Sequence, residues 1–90
     1  MNRAHWKFKL PGPGEHDIEM PKHSIVMKVA EQGGELFVWA WVFVDEKEKS
    51  STRFRVLATG EEVHHYLDRQ MDYLDTVVMK NGLVWHIWCR

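Results

Sequence analysis

The groups in this sequence best suited to chemistry are the guanidiniums of Arg53 and Arg55, the indoles of Trp39, Trp41 and Trp88, and the imidazole of His86. Arginines two positions apart leave the same side of an extended chain. Such a pair can grip a phosphate or carboxylate bidentately while aromatic rings stack on a base. The competing reading of the arginines is two solvent-facing cations at a sheet edge, or ion pairs with the Asp45–Glu48 run. For the tryptophans it is core filling, since a buried indole needs only one acceptor for its N–H. His86, between Trp85 and Trp88, fits a pocket, an interface or the rim of a core with one hydrogen bond.

Other reactive groups lack a working context. His64 and His65, with His16, His23 and Asp68, can be drawn as a metal site. Adjacent histidines on an extended chain point apart, however, and no His-x₃-His or Cys-x₂-Cys spacing is present. Cys89, Ser24, Ser50 and Ser51 stand in no nucleophile motif. Thr59-Gly60-Glu61 is too short for a phosphate loop, and the Glu61-Glu62 pair would repel phosphate. The expectation is a protein that is not an enzyme and holds no metal or cofactor. A small hydrolase using His64, His65 or His86 is the one catalytic reading to set beside it.

The elements that must position these groups are strands. Leu36–Val44 is an unbroken apolar run between Gly33-Gly34 and the charged Asp45–Lys49 segment, too short to span a membrane. Alternation puts Phe37, Trp39, Trp41 and Phe43 on one face and Leu36, Val38, Ala40, Val42 and Val44 on the other. Such a strand is either central and covered on both sides, or keeps its aromatic side for a ligand or second subunit. Arg3–Leu10 alternates Trp6, Phe8 and Leu10 with His5, Lys7 and Lys9, predicting a half-exposed strand with a basic outer side, suited to an edge. Pro11-Gly12-Pro13-Gly14 ends it.

A short strand is expected over His16–Met20, and another over Ser24–Glu31, where Ile25, Met27 and Val29 alternate with Val26, Lys28 and Ala30. Gln32–Glu35 predicts a tight hairpin turn. Asp45–Ser51 reads as a solvated loop, Thr52–Thr59 as a strand with Phe54, Val56 and Ala58 opposite Arg53, Arg55 and Leu57, and Gly60 as its stop. Val63, Tyr66 and Leu67 suit one helical turn or an irregular loop. Tyr73–Lys80 and Leu83–Cys89 read as a hairpin around Asn81-Gly82, whose type I′ turn needs both central residues at positive φ. The expected fold is all-β, with at most one short helix near 61–70, an antiparallel sheet forming a small sandwich or partly open barrel over a single domain, 1–90.

Composition narrows the function. The chain is 44% hydrophobic and 28% charged, too apolar for disorder and too charged for a membrane protein. A formal net charge of -1 gives no global positive field, so non-specific nucleic-acid or anionic-membrane binding is not expected and any phosphate contact is local. A lone cysteine and the absence of an apolar leader suggest a reducing cytoplasm. Two strands apolar on both faces exceed what one thin core covers, which points to self-association.

The motifs Trp6-Lys7-Phe8-Lys9-Leu10, Met20-Pro21-Lys22, Leu36–Val42, Phe54–Gly60, Tyr73-Leu74-Asp75-Thr76 and Leu83-Val84-Trp85-His86 follow one another along nearly the whole chain. In that order they resemble a widespread family of small phage and prophage proteins of unknown function. Its members look like a Trp-led strand, a Met-Pro-Lys turn, a Trp-containing strand, a Gly-Thr-Gly segment and a closing Val-Trp-His. Ala58 stands where the first glycine of Gly-Thr-Gly is expected, and His64–Gln70 is an extra stretch. The resemblance implies a viral origin, the cytoplasm of an infected bacterium and a β-dominated fold. The expected function is a non-enzymatic binding protein. In one form it is a homo-oligomer sequestering a nucleotide signal as counter-defence, with Arg53 and Arg55 on phosphates and Trp39, Trp41 or Trp88 on bases. The alternative is a protein-interaction module, either an anti-CRISPR-like inhibitor of a host protein or a virion accessory protein.

Overall fold

Residues 1–90 are described by a computed structural model. Seven strands and one helical turn follow the hydrophobic alternation of the sequence: β1 Arg3–Leu10, β2 Gly14–Pro21, β3 Ile25–Gln32, β4 Glu35–Phe43, β5 Lys49–Ala58, α1 Leu67–Gln70, β6 Asp72–Val78 and β7 Val84–Cys89. All pairings are antiparallel, in a three-stranded sheet ordered β1-β4-β3 and a four-stranded sheet ordered β2-β5-β7-β6. The sheets pack face to face as a sandwich rather than a partly open barrel. Inward side chains of both sheets supply its core.

β4 is the middle strand of its sheet, and its aliphatic face is the one that packs. Val38, Ala40 and Val42 are completely buried, and Leu36 nearly so. They meet Phe54 and Val56 of β5, Ile87 of β7, Val29 of β3, and Leu10 and Met20 at the ends of β1 and β2. Because small aliphatic residues line one sheet, Phe54 can fill the gap from the other without strain. No tryptophan is fully buried; Trp85 packs against this core and Trp88 against a smaller second cluster, so the core-filling reading holds in part for these two and not for Trp39 and Trp41.

Several local expectations are corrected. In β3 the ladder shifts between Val26 and Lys28, leaving Met27 unpaired. This bulge resets the alternation, so Val26 and Val29 both face inward while Ile25 and Met27 are exposed. β5 begins at Lys49, inside the expected loop, because Lys49–Ser51 pair with Glu19–Pro21 of a β2 longer than predicted. The Gly33-Gly34 turn has both glycines at positive φ, 63° and 83°, as a two-residue hairpin requires. Asn81-Gly82 does not form a type I′ turn, since only Gly82 is at positive φ. The Gly82 N–H donates to Met79 O at 2.9 Å and the Met79 N–H to Leu83 O at 2.7 Å. The result is a three-residue loop with glycine at its left-handed position, and Asn81 Oδ1 accepts from the Leu83 N–H.

Phe54→Ala leaves a cavity that flanking β-strands cannot close, and is expected to cost about 3–5 kcal/mol. Urea denaturation of the variant measures this, and a loss below about 1 kcal/mol would remove Phe54 from the centre of the packing.

Candidate functional site

The expected site residues fall on two opposite outer surfaces. Arg53 and Arg55 leave the outer face of β5, whereas Trp39 and Trp41 leave the outer face of β4, on the other side of the sandwich. No single small ligand reaches both pairs. Within one copy of the chain the combination of Arg53 and Arg55 with Trp39 or Trp41 is therefore excluded by the inward packing of Val38 and Val56 between them.

On the four-stranded sheet, both arginines are engaged. Arg53 Nε donates to Asp17 Oδ1 at 3.1 Å, and Arg55 Nη1 to Glu15 Oε1 at 3.3 Å, across the β2–β5 ladder. Ion pairing was anticipated, but with the Asp45–Glu48 run. The actual partners lie directly opposite in register. The hydrogen bond from Arg53 to Asp17, then the charges of Asp17 and Glu15, push that guanidinium above its ordinary value and keep it charged. Arg90, whose Nη1 donates to Gln70 O at 2.8 Å, joins them around an open concavity of about 600 Å³ walled by Leu67, Gln70 and Met71. The carboxylates of Glu15 and Asp17 line the same hollow and match Arg55 and Arg53, while Arg90 has only the Gln70 carbonyl.

His86 and Trp88 share this outer face but have structural partners. His86 Nε2 and Thr59 Oγ1 lie 2.7 Å apart, and Nδ1 and Thr76 Oγ1 3.1 Å, so the imidazole ties the end of β5 to β6. Thr76 Oγ1 also meets the Tyr73 hydroxyl. Trp88 packs edge-on to Tyr73 and against a small second cluster of Leu57, Leu67 and Met71. The 61–71 segment thus lies over the outer face of β5 and β7, covering one of the two doubly apolar strands with the chain itself. Within that segment His64 and His65 do not point apart: their rings stack at 4.7 Å, because the chain there is turning rather than extended. Nowhere do three His, Cys, Asp or Glu side chains come together closely enough to share a metal ion.

The outer face of the three-stranded sheet is different. The aromatic row Phe37, Trp39, Trp41 and Phe43 is half-buried, and none of its members packs into either hydrophobic cluster. Directly opposite stand the outward residues of β1, pairing Arg3 with Phe43, His5 with Trp41, Lys7 with Trp39 and Lys9 with Phe37. The Arg3 guanidinium lies 3.7 Å from the centroid of Phe43, Lys7 Nζ 4.5 Å from that of Phe37, and the His5 ring 4.6 Å from that of Trp41. Trp39 meets only the edge of Phe37, and no cation is stacked on it. On its other flank, Lys28 of β3 is its register partner, with its Nζ 3.5 Å from Asp75 Oδ2. Sequence reasoning found the basic side of β1 and the aromatic side of β4 separately and left Arg3, His5, Lys7 and Lys9 out of the site. Alternation reveals each face but not which strands are neighbours.

The whole chain, residues 1–90, matches a protein family described as a domain of unknown function, DUF7352. The chain belongs to that family. Neither any curated protein nor any solved structure matches it. Within this DUF7352 chain no helix is long and apolar enough to cross a membrane.

Two outcomes follow from this geometry. His86→Ala removes the bridge between Thr59 and Thr76 and is expected to lower stability by about 1–2 kcal/mol, read from the urea midpoint. At Cys89, burial and then the nearby Asp72 charge push the thiol above its ordinary value. As pH rises past about 8.5 the unfolded chain loses this proton first, so the folded state loses stability. Between pH 7 and 10, Cys89→Ala should show a shallower decline in urea midpoint than the parent.

Proposed function

We propose that this DUF7352 protein is a non-enzymatic binding protein whose working surface is the outer face of β1, β4 and β3, and that its ligand is a nucleotide. The observation that carries this reading is Trp39, an indole with no cation stacked on it and with Lys7, free of any carboxylate, in register beside it; Lys28 on its other flank is paired with Asp75 at 3.5 Å. A base stacks on such a ring while its phosphate meets the Lys7 ammonium beside it. This site replaces the Arg53–Arg55 pair, whose guanidiniums would have to leave Asp17 and Glu15 to take a phosphate.

The motif resemblance to small phage and prophage proteins supports a viral origin. In that setting, holding a nucleotide signal as a homo-oligomer in the infected bacterium would blunt a host defence. A second reading, docking on a host protein, is favoured by Ile25, an exposed apolar side chain opposite Trp41 on the same face.

A thermal-shift panel running from cyclic and linear mononucleotides to short oligonucleotides tests the first reading. A ligand at 100 times its Kd adds about 2.7 kcal/mol, enough to raise the melting temperature by several degrees. Trp39→Ala should abolish the shift. No shift with any member of the panel overturns the nucleotide reading and leaves protein docking, checked by the same substitution in a pull-down.

A further inference from the structure

A single nucleotide needs one ring and one or two cations, whereas this face repeats the arrangement four times along one direction. Arg3–Phe43, His5–Trp41, Lys7–Trp39 and Lys9–Phe37 are successive cross-strand pairs of the same ladder, each setting a basic residue beside an aromatic one. Alternate residues of an antiparallel strand are about 6.8 Å apart, so the four steps form two parallel rails, one basic and one aromatic. From this juxtaposition we infer that the face binds a short single strand of nucleic acid, its backbone along β1 and its bases on β4. The inference rests on the reading that this surface takes nucleotide chemistry, and it names the polymer as the ligand.

Four arguments support a strand of this kind. First, rails in register suit a polymer that repeats an anion and a flat ring, and a few nucleotides match the smallest sites known for single-strand platforms. Second, a duplex has its bases already stacked on one another and offers no free ring to Trp39. Third, the charge is local. β1 carries a basic row opposed only by Glu35 on Lys9, while on the far sheet Glu15 and Asp17 are neutralised by Arg55 and Arg53, so a polyanion is drawn to one side of a molecule whose net charge is -1. Fourth, the existing contacts are exchangeable. Lys7 Nζ donates to Gln32 Oε1 at 2.7 Å, a neutral partner that a phosphate outcompetes, and Arg3 rests on Phe43 without a carboxylate. Lys9 is held by Glu35 at 3.0 Å, which leaves Arg3 and Lys7 as the principal phosphate contacts, with Lys9 a third.

Fluorescence polarisation with labelled single-stranded oligothymidylates of two to twelve nucleotides, beside thymidine monophosphate and a duplex of equal length, tests this. Affinity should rise with length to a plateau, exceed that of the mononucleotide and of the duplex, and fall with salt at a log–log slope of roughly -1.4 to -2.1, as two to three phosphate contacts give. Trp39→Ala should weaken binding roughly five-fold or more, and Trp39→Phe should restore most of it. Lys7→Glu, at an exposed position that the fold tolerates, should weaken binding and flatten the salt slope by roughly 0.7. Mononucleotide binding as tight as the oligonucleotide's would overturn the polymer inference and leave the nucleotide reading standing. Binding of neither would overturn both, and oligonucleotide binding indifferent to Trp39 and Lys7 would overturn the assignment to this face.

Discussion

The structure depends on how β4 divides its two apolar faces. A strand that is hydrophobic on both sides must put one of them inward, and the choice falls on the face with the smaller side chains. Val38, Ala40 and Val42 let the two sheets approach closely, with Phe54 and Ile87 filling the remaining space. Rings at those positions would hold the sheets apart and leave gaps around them. Once the aliphatic face is committed, strict period-two alternation forces Phe37, Trp39, Trp41 and Phe43 outward together.

The outward aromatic row then meets β1 by pairing, and the two strands together make a surface that neither makes alone. Arg3, His5 and Lys7 lie against the rings of Phe43, Trp41 and Phe37, giving the exposed apolar area a polar cover. A cover of this kind is easily lifted by an anion, unlike the closed ion pairs of Arg53 and Arg55 on the far sheet. The difference separates two arginine-bearing surfaces that look equally suited to phosphate when only residue types are compared.

The excess of apolar strand surface has two separate outcomes. On β7 and the end of β5 it is met internally, where the 61–71 segment lays Leu67 and Met71 over Leu57 and Trp88. On β4 nothing comparable exists, so the uncovered face belongs to the three-stranded sheet alone. The edges where β3 and β6 approach are joined by polar contacts, with Asp75 Oδ2 accepting from the Val29 N–H and Glu31 Oε1 from the Lys80 N–H. These acceptors occupy backbone donors that would otherwise invite a further strand.

By itself the sequence determined the strand content, the division of β1, β4 and β5 into two faces each, and the glycine hairpin at Gly33-Gly34, because these are local matters of alternation and backbone freedom; which face of β4 is the core it left open. Near Leu67 it left a helical turn and an irregular loop equally open. The bulge at Met27 and the loop form at Asn81-Gly82 were not legible, since each depends on the partner strand's register. The tertiary structure alone decided which strands are neighbours. It put Arg53 and Arg55 opposite acidic residues, tied His86 to two threonines, and set Lys7 beside Trp39. The physical reason is that period-two alternation specifies a side, whereas a binding surface is made by pairing between residues distant in the chain, from Lys9 with Phe37 to Arg3 with Phe43, which only the packed sandwich brings into register.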